Sequence, residues 1–307
     1  MLRRRALGLV AGLAFGLAAC STGNGGSATS TPTPTSAAYP VTVGSVTLDK
    51  QPAKIVSLGP TATEMLYAVN AGTQVVAVDD QSNYPAGVPK TDLSAYKPSA
   101  EAIAAKNPDL VVLTNDSDKI VDQLKALKIP TFLVPAAATL DEAYAEITDL
   151  GKLTGHADDA AKVVSDMKSK LDTIVKSVKQ RSKPLTYFYE VSPDLYSATS
   201  KTFIGSIFTL LGLQNVADAA DADGKAFGYP QLSAEALVKA NPDLIFLADA
   251  KCCQQTADTV KARAGWAGIT AVSKGQIVAL DDDIASRWGP RIVDLAQTVA
   301  TSVNQIP

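Results

Sequence analysis

The residues able to do covalent or metal chemistry are few. Among 307 residues there is one histidine, His156, and three cysteines, Cys20, Cys252 and Cys253. One histidine argues against a His-rich metal site, paired-histidine haem ligation and a Ser-His-Asp relay. No Gly-x-Ser-x-Gly turn is present to offer a nucleophile. His156 stands in Gly155-His-Ala-Asp158, where a long helical pattern begins, and reads as a helix-start residue. Cys252 and Cys253 are neighbours. In an oxidising compartment such a pair can close a vicinal disulfide, and the other reading is two free thiols on a loop. Two adjacent sulfurs without histidine or further cysteine cannot complete tetrahedral coordination, so no metal is expected there. Asp281-Asp282-Asp283 lacks the Gly and Glu spacing of an EF-hand loop.

Cys20 has a different chemistry. Arg3, Arg4 and Arg5 precede an uncharged stretch from Ala6 to Leu17, which fits the h-region of an export signal and is shorter than the ~20 residues of a membrane span. The stretch ends in Leu17-Ala18-Ala19-Cys20, which resembles a bacterial lipobox, with cleavage before Cys20 and lipid on its sulfur. Ser21 to Ala38 is almost entirely Ser, Thr, Gly, Pro, Ala and Asn, a composition that cannot bury a core and reads as a tether. Signal (1–19), lipidated Cys20 with linker (20–40) and body then follow in the order of a lipid-anchored protein on the extracytoplasmic face of the cell membrane.

Removing 19 of 307 residues leaves 288, comfortable for two lobes. A 46% hydrophobic, 19% charged composition is ordinary for a globular protein, and a net charge of -3 without a basic stripe argues against nucleic acid. No second long apolar run occurs in the body.

The elements that must position these residues alternate short apolar strands with amphipathic helices, the signal of an α/β fold. Lys54–Leu58, Val75–Val78, Asp109–Leu113 and Thr131–Val134 read as strands. Pro60 to about Ala71, the segment capped by Ser99, and Lys119–Leu127 read as helices. Leu140–Leu153 and Ala157–Val178 carry one apolar stripe on a polar background, suited to a connector along the outside of two lobes. After Pro184 the alternation resumes.

An internal repeat organises the whole. Ser99-Ala-Glu-Ala-Ile-Ala-Ala-Lys-Asn-Pro-Asp-Leu-Val-Val-Leu113 matches Ser233-Ala-Glu-Ala-Leu-Val-Lys-Ala-Asn-Pro-Asp-Leu-Ile-Phe-Leu247, nine of fifteen positions being identical at an offset of 134. Asn-Pro-Asp alone is ordinary turn chemistry; identity at Ser, Glu, Asn, Pro and Asp together reads as two related lobes. The expected architecture is two Rossmann-like lobes: 41–138, a rigid helical connector over 139–183, and 184–307, with a ligand cleft between the lobes.

Together with the lipid anchor, Ile55-Val-Ser-Leu-Gly-Pro-Thr-Ala-Thr-Glu64, Ser82-Asn-Tyr-Pro85, the two repeat copies and Trp288-Gly-Pro-Arg291 resemble the substrate-binding proteins of bacterial ABC importers for ferric siderophores, haem and cobalamin. The resemblance runs from about Val41 to Ile306. It implies a binding protein and not an enzyme, a monomer that captures a metal chelate (ferric siderophore or corrinoid) and hands it to a permease. It also implies that Glu101 and Glu235 dock into permease arginines. Each glutamate also sits in the first turn of a helix, where it complements the dipole.

The cleft is expected at the loops that follow the C-terminal ends of the strands. Tyr84, Tyr96, Phe227 and Tyr229 lie on such loops, and Asp283, Arg287 and Trp288 follow the Ile277–Leu280 strand. Aromatic faces suit a large, partly apolar chelate and an arginine suits its anionic edge. In the family's cobalamin binders an Asp and an Arg spaced as Asp283 and Arg287 line the pocket, as does an aromatic at the place of Tyr229. This chain departs from them at Ile284, where they carry Trp. Arg291, opening the last helix, is expected to pair with a carboxylate between elements. A sensing receptor of the same fold and a surface hydrolase are the alternative functions.

Overall fold

The computed structural model describes residues Tyr39–Pro307; the export signal, Cys20 and the tether up to residue 38 lie outside the described residues. A hairpin of β1 (Val41–Val43) and β2 (Val46–Leu48) comes first. The N-terminal lobe then runs β3 (Ile55–Leu58), α1 (Pro60–Ala68), β4 (Val75–Val78), α2 (Ala100–Ala104), β5 (Leu110–Leu113), α3 (Ile120–Ala126) and β6 (Thr131–Leu133). The connector holds α4 (Leu140–Thr154) and α5 (Ala157–Ser177). The C-terminal lobe holds β7 (Thr186–Glu190), α6 (Phe203–Leu210), β8 (Gln214–Asn215), α7 (Ala234–Ala240), β9 (Leu244–Leu247), α8 (Ala257–Lys261), α9 (Thr270–Ser273), β10 (Ile277–Ala279), α10 (Asp282–Ala285) and α11 (Ile292–Gln305).

Each lobe is one four-stranded parallel sheet, ordered β4-β3-β5-β6 and β10-β9-β7-β8. Counted within its own lobe, each sheet therefore runs second, first, third, fourth strand, so the repeat seen in sequence is a repeat of topology. The motif's identities have matching jobs. Ser99 and Ser233 cap α2 and α7 by accepting from Ala102 N and Ala236 N. Asn107 and Asn241 both take the left-handed conformation (φ 49) that ends the helical turn, which asparagine tolerates better than most residues. The Oδ2 of Asp109 accepts from Ala53 N (2.9 Å) and Lys54 N (3.0 Å), and that of Asp243 from the N and Oγ1 of Thr186 (both 2.9 Å). In both lobes this aspartate ties the third strand to the start of the first.

The connector is two helices, matching the two helical stretches of the sequence. Gly155 (φ 81) ends α4 in the left-handed region and His156 begins α5, its Nδ1 3.2 Å from Asp159. At Gly151 a side chain would strike Ala160, so close approach of the two helices requires glycine there. Helix α4 packs on α1 and β1, while α5 packs on α4 and on α11 of the other lobe. At 21 residues α5 is about 31 Å long.

The core explains why the connector is stiff. Strand residues alternate between two clusters: Ile55, Tyr187, Leu244 and Phe246 enter a cluster shared by both lobes, while Val56 and Phe188 face clusters private to each lobe. The shared cluster runs from Met65 and Leu66 through Met167, Leu171 and Ile174 of α5 to Phe208 and Val299. Opening the lobes widely would expose that surface, at ~25 cal/mol per Å². No described helix is long and apolar enough to cross a membrane.

Candidate functional site

The C-terminal ends of the strands feed loops that carry exposed aromatics, as expected. Tyr84 (44% exposed) and Tyr96 (73%) lie on the β4–α2 loop; Phe227 (88%) and Tyr229 (51%) lie on the β8–α7 loop. Phe227 holds a positive φ of 52, a conformation a bulky residue adopts only under constraint. The constraint is Asp221, almost fully buried, whose carboxylate accepts from Ala226 N and Gly228 N at 2.8 Å on either side of Phe227. The loop is thus built to hold an aromatic ring out in solvent. Tyr196 on the β7–α6 loop is also exposed (43%) and bridges Gln231 beside Tyr229. It was missed in the sequence although the same loop rule points to it.

Asp283, Arg287 and Trp288 have partners on the other side of the interface. Arg287 is 8% exposed; its Nη1 donates to Glu64 Oε1 (2.6 Å) and Asn83 Oδ1 (3.0 Å), and its Nη2 to Asp283 Oδ1 (2.8 Å). Asn83 Nδ2 closes the ring by donating to Asp283 Oδ2 at 2.9 Å. Arg291 takes the other side of Glu64, donating from Nε at 3.0 Å and from Nη2, and its guanidinium lies 4.1 Å from the Tyr84 ring. The expected pairing of Arg291 with a carboxylate between elements is therefore present, and Glu64, buried in α1, is the carboxylate. Lys251 Nζ adds a contact to Asp283 Oδ2 at 2.8 Å. Burial alone would raise the Asp283 pKa, but the bonds from Lys251 and Asn83 and the charge of Arg287 outweigh it and hold it below the usual carboxylate range. Trp288 Nε1 donates to Glu146 Oε2 of α4 at 3.0 Å. Burial lifts Glu146 to about 7, only partly offset by that bond, with the Glu142 charge adding to the rise.

These contacts form a polar clasp across the lobe interface: two carboxylates, Glu64 and Asp283, against three cations, Arg287, Arg291 and Lys251. The charge of Asp281 also acts on Lys251 and Arg291, so the cluster is close to neutral, and most donors of Arg287 are already engaged. Sequence reasoning did not find Glu64, Asn83 or Glu146, because each acquires its role from a partner more than 140 residues away.

Glu101 and Glu235 occupy equivalent first-turn positions and are fully exposed; each is held below the ordinary glutamate range first by its own backbone N–H and then by the capping serine, Ser99 or Ser233. Cys252 and Cys253 follow β9 as exposed free thiols.

Two similar α/β lobes thus share a core and are joined by a polar clasp, and the loops at their strand C-termini carry exposed aromatics. The chain belongs to the family described as periplasmic binding protein, whose pattern matches residues 55–284. Its members bind solutes and are not enzymes. Over 279 residues it is 33% identical to a Bacillus subtilis protein called an uncharacterized ABC transporter substrate-binding lipoprotein, YvrC, spanning 86% of each chain. It is 29% identical over 256 residues to a cobalamin-binding protein of Halobacterium salinarum, covering 81% of this chain and 69% of that one. The crystal structure of a "possible" iron-binding (periplasmic solute-binding) protein from Staphylococcus epidermidis superposes with a TM-score of 0.73 at 29% identity, over 83% of this chain and all of the other.

Proposed function

We propose that this protein is a lipid-anchored extracytoplasmic receptor that binds a metal chelate between its lobes and presents it to an ABC-importer permease through Glu101 and Glu235. The observation that carries the reading is the aromatic rim: Tyr84 and Tyr96 on one lobe, Tyr196, Phe227 and Tyr229 on the other, all exposed on loops at strand C-termini. Rings left in water at both sides of an interface suit a broad, flat ligand with apolar faces. A corrinoid is the first choice, because a relative carries that name and because a corrinoid brings its own metal coordination, needing no histidine from the protein. A ferric siderophore is the second. A lipid on Cys20 keeps the receptor at high local concentration beside the permease.

Cobalamin, ferric siderophores and haem are titrated into the purified protein and followed by tryptophan fluorescence, Trp288 reporting from the interface. Saturable binding of cobalamin is expected, weakened about tenfold or more by Tyr229→Ala. Binding of none of them, or indifference of all binding to Tyr229, overturns the reading.

A further inference from the structure

The paired thiols sit at one end of a chain of contacts that reaches the lobe interface. The turn after β9 wraps the Asp249 carbonyl, which accepts from Cys253 N (3.2 Å) and Gln255 N (3.4 Å). Its outer face is pinned by Asp282 at the start of α10, whose carboxylate accepts from Lys251 N (3.0 Å) and Cys252 N (2.7 Å). The Lys251 side chain then holds Asp283, and Asp283 holds Asn83 of the other lobe and Arg287. Both thiols are exposed and unpaired. Cys253, followed by burial and by Asp282, pushes the Cys252 thiol up to about 12.

We propose that Cys252 and Cys253 are a redox modification site, and that closing their disulfide releases the Asp282 anchor and slackens the clasp between the lobes. The oxidant is a small disulfide such as oxidised glutathione. The Cys253 sulfur, as thiolate, attacks it, forming a mixed disulfide and expelling one small thiol. The Cys252 sulfur then displaces the second. Both cysteine protons and two electrons leave the protein, and the oxidant's S–S bond becomes two thiols. The product is an eight-membered ring containing the Cys252–Cys253 peptide unit. Ring closure constrains the backbone torsions of both residues, and the turn that places Lys251 N and Cys252 N on one carboxylate adjusts to it at the expense of those two bonds. Strained, exposed disulfides of this kind are the reducible, regulatory ones. Asp282 freed of its amides unseats α10, and with it the Asp283 contacts to Lys251, Asn83 and Arg287.

The test uses the full chain, reduced or treated with oxidised glutathione. Peptide mapping by mass spectrometry is expected to show a loss of about 2 Da confined to the segment with Cys252 and Cys253. Hydrogen exchange at residues 282–288 and 82–85 is expected to quicken about fivefold or more on oxidation, to return with dithiothreitol, and to stay constant in oxidant-treated Cys253→Ser. Failure of the intramolecular bridge to form overturns the proposal, and so does a bridge that leaves exchange at the clasp unchanged.

Discussion

The two lobes share a strand order and a fifteen-residue motif, yet the C-terminal ends of their strands are built differently. In the N-terminal lobe the buried groups are mostly hydroxyls: Ser57 Oγ lies 2.9 Å from Thr63 Oγ1, which lies 2.9 Å from Ser82 Oγ, while Asp79 accepts from Gln81 N and Ser82 N. In the C-terminal lobe the same region is ionic. Fully buried Glu190 takes both Nη groups of Arg263, and fully buried Asp249 beside it has no donor for either oxygen. The repeat keeps what folds the unit, namely the serine cap, the left-handed asparagine and the aspartate that ties the third strand to the start of the first. It lets go of the polar groups buried at the strand ends, hydroxyls in one lobe and charges in the other.

Breaking the joint between the lobes is expected to have the largest effect. Glu64→Ala takes from Arg291 its bonded carboxylate and from Arg287 one of its two, at a buried interface, and should cost about 3–5 kcal/mol in urea denaturation; a loss below about 1 kcal/mol would mean the clasp is not an integral part of the fold.

The ionic cluster of the C-terminal lobe should sharpen the contrast through pH. Burial, then the Glu190 charge, raises Asp249 to about 7. An acid raised on folding keeps a proton that the unfolded chain has already lost, so its contribution to stability is lost as pH rises from the unfolded value, 3.8, to about 7. Asp249→Asn should remove that part of the slope and gain about 1–3 kcal/mol over the native protein at about pH 8 while changing little at about pH 4. Glu146 titrates in the same window with the same sign, so the slope should shrink and not vanish. Parallel curves for the two proteins would place the Asp249 proton elsewhere.

Where the lobes are alike, the responses should be alike. Asp109→Ala and Asp243→Ala each remove two hydrogen bonds at the first strand and should cost about 1–2 kcal/mol, the more exposed Asp109 the lesser amount. Cycles of thermal unfolding on both variants check this; a several-fold disparity would break the equivalence. The smallest effect on the folded protein is expected from Glu101→Gln with Glu235→Gln. Stability and ligand affinity should be unchanged while uptake by cells falls about tenfold or more. Weakened ligand binding in that pair would count against a docking role.

Much of this was legible in the chain itself. The period-two strands, the capped helices and the offset repeat are local patterns, and local sterics and burial turn them into two parallel sheets with little choice. The repeat even named its own scaffold residues, since Ser99, Asn107 and Asp109 act on groups fixed by the same unit. Aromatics on strand-end loops can be found by rule, and the same rule points to Tyr196 on the loop after β7. The clasp is another matter. Glu64 reads locally as an interior residue of an apolar helix, and nothing near it in sequence says that it faces two arginines. Arg287 reads as a ligand group, yet its nearest anions are set by how α1 and the β10–α11 loop meet. Such pairings depend on desolvation and on distances of a few ångströms between segments more than 200 residues apart, quantities that exist only once the lobes are docked. The sequence by itself determined the lobes and their loops; the tertiary structure decided which charged residues lock them together and which aromatics stay exposed.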